Sequence, residues 1–119
     1  MDGPHNPLVH LELHTADLGA ARALLAQLCG WQSHDVEVGA GTYTTLGVGS
    51  AVGGGAVESG LPRPLWLPYV QVPDIDSATA RASELGARVV LGPREGPVGW
   101  RSLITSAVGG ELALWQPKR

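Results

Sequence analysis

Phenylalanine is absent from this 119-residue chain, cysteine occurs once, at Cys29, and lysine once, at Lys118. A single cysteine excludes an intramolecular disulfide and a cysteine metal cluster. Lys118 and seven scattered arginines make up the eight basic residues, and the net charge is -3. They form no basic stripe for a phosphate backbone, so nucleic acid is not an expected partner. Apolar runs of membrane-spanning length are also missing. The opening MDGPHNPLVH has neither the basic start nor the apolar run of a signal peptide. The expectation is a cytoplasmic protein without a membrane partner. Charged residues are only 16% against 44% hydrophobic, a balance that suits a folded chain and is lean for a soluble monomer. A second subunit is expected to cover part of the surface, making a homodimer.

Several chemistries lack their signatures. Gly53–Gly55 and the Gly-Pro run around Gly92 to Gly99 have no strand-loop-helix context, so they read as turns or a mobile edge and not as a phosphate loop. No cofactor is implied. Ser102 and Ser106 stand outside any nucleophile-elbow motif. Cys29 falls inside a predicted helix and reads as a small core residue.

What is present is alternation. In VHLELHTAD, Val9 to Asp17, strand geometry sends Val9, Leu11 and Leu13 to one face and His10, Glu12 and His14 to the other. One face suits a core. The other needs water, a partner or a ligand, because ionisable groups are costly to bury unpaired. Asp17 then caps a helix in which Leu18, Ala21, Leu25 and Leu28 recur at helical spacing until Gly30. Trp31 follows the stop and reads as packing between helix and sheet. QSHDVEV, TYTTLGVG and AVGGGAV follow as three short strands, the last weakened by its glycines.

The order then repeats. WLPYVQVPD (Trp66 to Asp74) reads as a strand, DIDSATARASELG as a helix capped by Asp74 or Asp76 with Gly86 past its end, and ARVVLGP, GWRSLITSA and GELALWQ as three strands. Laying Asp74 on Asp17 pairs His10 with Leu67, Glu12 with Tyr69 and His14 with Gln71. The expected architecture is α+β: one domain, residues 1–119, made of two βαβββ modules at about 7–60 and 64–117, each too small to close a core alone.

The opening VHLELHTADLGAARALLAQLCGW, the entry WLPYVQVPDIDSATARASELGARV and the ending GGELALWQP together resemble the vicinal oxygen chelate superfamily, the glyoxalase, bleomycin-resistance and extradiol-dioxygenase group. That resemblance covers nearly the whole chain. It implies a curved mixed sheet around a cavity, and in metal-dependent members a divalent ion held by His and Glu from the first and last strands of the modules. His10 falls at the first-strand ligand position, seven residues before the capping aspartate. The matching second-module position is Leu67, the usual final-strand carboxylate is Ala113, and AVGGGAV has no carboxylate before Glu58. The family-type metal site is therefore expected to be absent, although Glu111, two residues from Ala113 and on the same predicted face, offers a displaced carboxylate. His10, Glu12 and His14 alone are ~6.5 Å apart in succession, and three residues of one strand rarely close a coordination shell.

A bland account makes His10 and His14 the polar lining of a sheet, with Glu12 paired to one of them or to an arginine. Given the resemblance, the same face would line the cavity, with Tyr69 and Gln71 in the equivalent place, which is the usual form of a small-molecule site. Tyr43, Trp100 and Trp115 lie on strands expected to curve around it, where flat rings suit an apolar or aromatic ligand. The expected ligand-binding set is thus His10, Glu12, His14, Tyr43, Tyr69, Gln71, Trp100, Glu111 and Trp115. Two functions follow. The first is a metal-free binding protein of the bleomycin-resistance type, for an apolar or aromatic natural product or drug. The second is an acid/base enzyme with His10, Glu12 or His14 as general base and Tyr69 as donor to an oxyanion, on a substrate with a carbonyl or epoxide. A metal-dependent glyoxalase- or dioxygenase-like enzyme is a third.

Overall fold

The computed structural model describes residues 6–39 and 41–118. Strand β1 (Leu8–Thr15) leads into helix α1 (Leu18–Cys29), followed by β2 (Ser33–Val38), β3 (Gly41–Leu46) and β4 (Gly53–Glu58). The second module repeats the sequence as β5 (Leu65–Gln71), α2 (Ile75–Glu84), β6 (Arg88–Glu95), β7 (Gly99–Ser106) and β8 (Gly110–Pro117). Eight strands in mixed pairing with two helices give an α+β fold. The chain divides into two compact units, residues 10–67 and residues 6–9 with 68–118.

In the first half the strand order is β2-β3-β4-β1, with β1 parallel to β4 and the other pairs antiparallel. The second half has the order β6-β7-β8-β5, with β5 parallel to β8 and the others antiparallel. The duplication read from the sequence is therefore a duplication of topology.

Helix ends follow their caps. The Asp17 carboxylate accepts from the Ala20 amide at 3.0 Å, and Gly30 closes α1 at φ 72°, a left-handed value that favours glycine. For α2 the cap is Asp74, not Asp76: its side chain accepts from the Ser77 amide at 3.0 Å. Each helix packs on one face of its own half. Leu18, Ala21 and Leu25 lie against Leu13, Leu46 and Ala56, and Ala78 lies against Val72, Ile75 and Leu114. Beneath α2 the fully buried Ser102 shares a hydrogen bond with Thr79 at 2.8 Å, and Thr79 donates to the Ile75 carbonyl at 2.6 Å. The pair is satisfied without water.

Several sequence expectations are corrected. Leu28, expected on the core stripe, is 74% exposed, and Cys29, expected in the core, is exposed as well. The α1 residues described against the Leu13, Leu46 and Ala56 cluster are Leu18, Ala21 and Leu25, from its first two turns. Trp31, partly buried after the end of α1, meets Trp66 of β5 edge-to-face, with centroids 6.2 Å apart. Gly53–Gly55 form neither a turn nor a mobile edge. They belong to β4, which is hydrogen-bonded on both sides, to β1 and to β3. Glycine is required there by close approach, since a β-carbon on Gly54 would lie 2.7 Å from the Leu46 carbonyl oxygen. The Gly92 to Gly99 run is also mostly strand, because β6 extends to Glu95 and β7 starts at Gly99.

Candidate functional site

Pairing register sorts the side chains of each half into a helix face and a helix-free face. In the first half, Glu12 pairs with Gly55 and Leu13 with Ala56 on β4, while Thr45 of β3 pairs with Gly55. Leu13 and Ala56 meet α1. By alternation His10, Glu12, His14, Gly53, Gly55, Val57, Tyr43 and Thr45 share the other face.

Four of these side chains are joined. The Tyr43 hydroxyl donates to Glu12 Oε2 at 2.6 Å, and His10 Nε2 lies 2.8 Å from the same hydroxyl. His14 Nε2 lies 2.8 Å from Glu12 Oε1. Glu12 is only 4% exposed and His14 only 7%, so the network serves a buried carboxylate at both oxygens, which offsets its desolvation. His10 and Tyr43 are half-buried. Burial holds the His10 imidazole below its ordinary pKa of 6.5, and the neighbouring Glu12 charge offsets part of that shift. Tyr43 reaches this position because Gly55 has no side chain. A β-carbon there would collide with the Tyr43 hydroxyl and lie 2.5 Å from Cζ of its ring.

In the second half, Tyr69 pairs with Ala113, and Leu103 pairs with the same Ala113. Arg101 donates to the Tyr69 hydroxyl at 2.7 Å, and the Tyr69 and Trp115 rings lie 6.1 Å apart, tilted by 58°. Gln71 and Trp115 are register partners on the same face. Glu111 shares the face but is exposed, and its carboxylate accepts from Thr105 at 3.1 Å. Trp100 departs from expectation. It pairs with Gln116 and packs on the α2 side against the Val72, Ile75 and Leu114 cluster, with Lys118 Nζ 5.6 Å from its ring centroid. A one-residue step along β7 separates it from the face of Arg101.

Sequence reasoning missed Arg101. The repeat alone did not point to it, because the Asp17-to-Asp74 offset lays Tyr43 on Trp100, whereas the pairing register through Gly55 and Ala113 matches Tyr43 with Arg101.

The donor set does not fit the metal site that the superfamily resemblance implies. Beside His10, Glu12 and His14, β4 offers Gly53, Gly55 and Val57, and Glu58 pairs with Thr15 on the opposite parity. Leu67 and Ala113 are buried and apolar. Among the described residues no three His, Cys, Asp or Glu side chains gather as a ligand set.

Comparison with known proteins agrees with this geometry at the level of fold. No family model matches the chain. CFP32 of Mycobacterium tuberculosis, provisionally named a glyoxylase, is 33% identical over 92% of this chain, and the same protein of Mycobacterium bovis matches equally. The chain spans 45% of the length of these relatives. Among solved structures, methylmalonyl-CoA epimerase of Mycobacterium tuberculosis superposes with a TM-score of 0.65 at 21% identity, covering 94% of this chain and 88% of the epimerase. A variant of the Streptomyces coelicolor epimerase in complex with 2-nitronate-propionyl-CoA gives 0.67 at 16% identity, covering 98% and 100%. The chain has the fold of these structures, and its likeness to the glyoxylase-named relatives accords with the resemblance that its motifs carry.

Proposed function

We propose that the chain is a metal-independent small-molecule binding module of the glyoxalase and bleomycin-resistance type, taking an apolar, aromatic ligand on the helix-free faces of its modules. The observation that carries this reading is the His10, Tyr43, Glu12 and His14 network: four polar side chains joined and largely buried on a face that no helix covers. The second module carries Tyr69, Gln71 and Trp115 on its own helix-free face, where the tilted Tyr69 and Trp115 rings favour a flat ligand. Metal independence rests on Leu67 and Ala113. Thermal-shift and calorimetric titration with aromatic metabolites, with and without added divalent ions, tests it. A ligand of the native state raises stability by mass action. Binding that appears only with a stoichiometric metal ion overturns it.

A second reading, an acid/base enzyme, draws on one feature of the same network. A histidine held neutral beside a tyrosine bonded to a carboxylate is suited to accept a proton near neutral pH. Turnover of a carbonyl or epoxide substrate in the absence of metal would select it. The chain works as a cytoplasmic homodimer in either reading, consistent with its low charge and with exposed apolar residues such as Leu24 and Leu28. Among the described residues no helix is long and apolar enough to cross a membrane. Sedimentation at tens of micromolar that shows only monomer overturns the dimer.

A further inference from the structure

We propose that Arg94 is an anion-binding group at the edge of the second module's helix-free face, and that the flat ligand of this face carries a carboxylate. The proposal rests on the reading of that face as an aromatic ligand site and adds the charge that the ligand must bear.

Register puts four side chains in one row across the strands. Arg94 of β6 pairs with Arg101 of β7, Arg101 with Trp115 of β8, and Trp115 with Gln71 of β5. Directly opposed residues share a face, so the row joins an indole and a carboxamide to two guanidiniums, and like charges across an antiparallel pair lend each other no stability. Nor does β6 run regularly to this point. Two one-residue register shifts, between Val89 and Leu91 and between Leu91 and Arg94, bring Arg94 opposite Arg101, whereas on the register that pairs Arg88 with Thr105 it would stand opposite Gly99. Bulges re-aim side chains in this way and are frequent beside functional sites.

The two arginines are not equivalent. Arg101 is engaged: it donates to the Tyr69 hydroxyl at 2.7 Å, so its guanidinium leans inward across β8 and away from β6. Arg94 is exposed, and none of the ion pairs among the described residues includes it. Glu95, its neighbour in sequence, is paired with Trp100 on the opposite side and held by Lys118 at 2.8 Å. Arg88 supplies the contrast. It lies on the same face of β6, but its row runs through Thr105 to Glu111, so a carboxylate stands in it. The row of Arg94 has none. Glu111 is four residues from Trp115 along β8, ~13 Å away, and already accepts from Thr105.

The ligand's chemistry follows from this row. A flat body against the tilted Tyr69 and Trp115 rings extends its substituent toward the sheet edge, where Arg94 stands two strand spacings, ~10 Å, from Trp115. That span suits a bicyclic aromatic acid. A guanidinium offers a carboxylate two parallel N–H donors, and no acid in its own row competes for them.

Titration calorimetry on the intact protein tests this with 2-naphthoate, and with 2-naphthamide as the neutral probe of the same shape. The parent is expected to bind 2-naphthoate about fivefold more tightly, the upper range for an exposed ion pair. Arg94→Gln should abolish that preference by weakening 2-naphthoate alone, and Arg88→Gln should leave both probes as in the parent. A parent that binds 2-naphthamide without preferring 2-naphthoate overturns the anion site and leaves the aromatic reading standing. A preference that survives Arg94→Gln, or one lost equally in Arg88→Gln, overturns the anion site as well. If neither probe binds, the aromatic reading of this face falls, and titration with sodium sulfate, followed on the arginine Nε resonances, decides the anion site. A saturable shift of Arg94 that Arg88 does not share supports it; equal drift of both, or no shift, overturns it.

Discussion

Arg101 stands in the second module where Tyr43 stands in the first. Each is on the third strand of its module, and each donates a hydrogen bond to the side chain at one repeat-equivalent position of the opening strand, Glu12 for Tyr43 and Tyr69 for Arg101. Gly55 and Ala113 are the small residues that pair with those acceptors. The same bridge is thus built twice, over a small residue, with different chemistry at its ends. Removing the Arg101 donor takes one hydrogen bond, from a charged group, away from a tyrosine that is itself buried. Arg101→Met is expected to cost about 1–3 kcal/mol in urea denaturation. Arg81, in an exposed pair with Glu84 on α2, supplies the comparison: Arg81→Met should stay within about 0.5 kcal/mol. Equal costs for the two would mean the bridge contributes nothing specific.

Gly55→Ala tests the first-module bridge from beneath. The added methyl must displace the Tyr43 ring or shift β4, and overpacking of this kind costs about 1–3 kcal/mol. Gly41, also on a strand, has open space where a β-carbon would stand. Gly41→Ala should therefore be neutral or slightly stabilising by chain entropy. An unchanged Tyr43 position in Gly55→Ala, read from its ring NMR shifts, would remove the steric argument.

Much of this was legible in the sequence, and the exceptions have physical causes. Alternation in VHLELHTAD placed His10, Glu12 and His14 together because the strand period is two and Leu11 and Leu13 fix the other face. The Asp17 and Asp74 caps and the Gly30 and Gly86 stops set both helices, and their offset showed the repeat. Gly53–Gly55 misled, because a glycine run signals turns unless a neighbouring side chain occupies the space, and the occupant, Tyr43, is on another strand. Trp100 misled because aromatic character says nothing about parity, whereas its neighbour Arg101 has the parity that counts. The exposed end of α1 was hidden for a further reason: helical spacing tells which face is apolar, not how far along the helix that face is covered.

The depressed His10 pKa makes stability depend on pH. Its folded value lies below the ordinary 6.5 because burial disfavours the imidazolium. Above 6.5 the ring is neutral folded or unfolded, and stability is undiminished. As pH falls below 6.5 the unfolded chain binds the proton first, so stability is lost until pH passes the folded pKa, where the loss levels off. Denaturant midpoints at pH 7.5 and 5.5 should therefore differ more for the parent than for His10→Gln. A His10→Gln variant with the parent's full pH dependence would place the titration elsewhere.

Metal content offers a separate check. Leu67 and Ala113 replace the side chains that the fold's metal-dependent members use, and β4 supplies no donor beside β1. Protein purified without chelator is expected to carry no stoichiometric zinc, nickel, iron or manganese by elemental analysis. One tightly held ion per chain would promote the metalloenzyme reading at the expense of the other two.

Substitutions on the two opening strands separate a binding module from an enzyme. Alternation puts His10 and Glu12 on one face, and the repeat assigns Tyr69 the place of Glu12 in the second module. In a protein that only binds, His10→Ala, Glu12→Gln and Tyr69→Phe each weaken the ligand by the hydrogen bonds removed. That is about 0.5–1.5 kcal/mol apiece, and more where a charge takes part. Titration calorimetry would record graded losses with no variant singular. An enzyme behaves differently. Loss of the proton acceptor leaves substrate affinity near that of the parent while turnover falls by two or more orders of magnitude, the usual worth of a general base. His10→Ala is the variant expected to show that split, because its neutral ring heads the Tyr43 and Glu12 chain, whereas Tyr69→Phe should alter affinity and rate together. Three variants that bind and turn over every true ligand as the parent does would reduce this face to a solvated surface and remove the site.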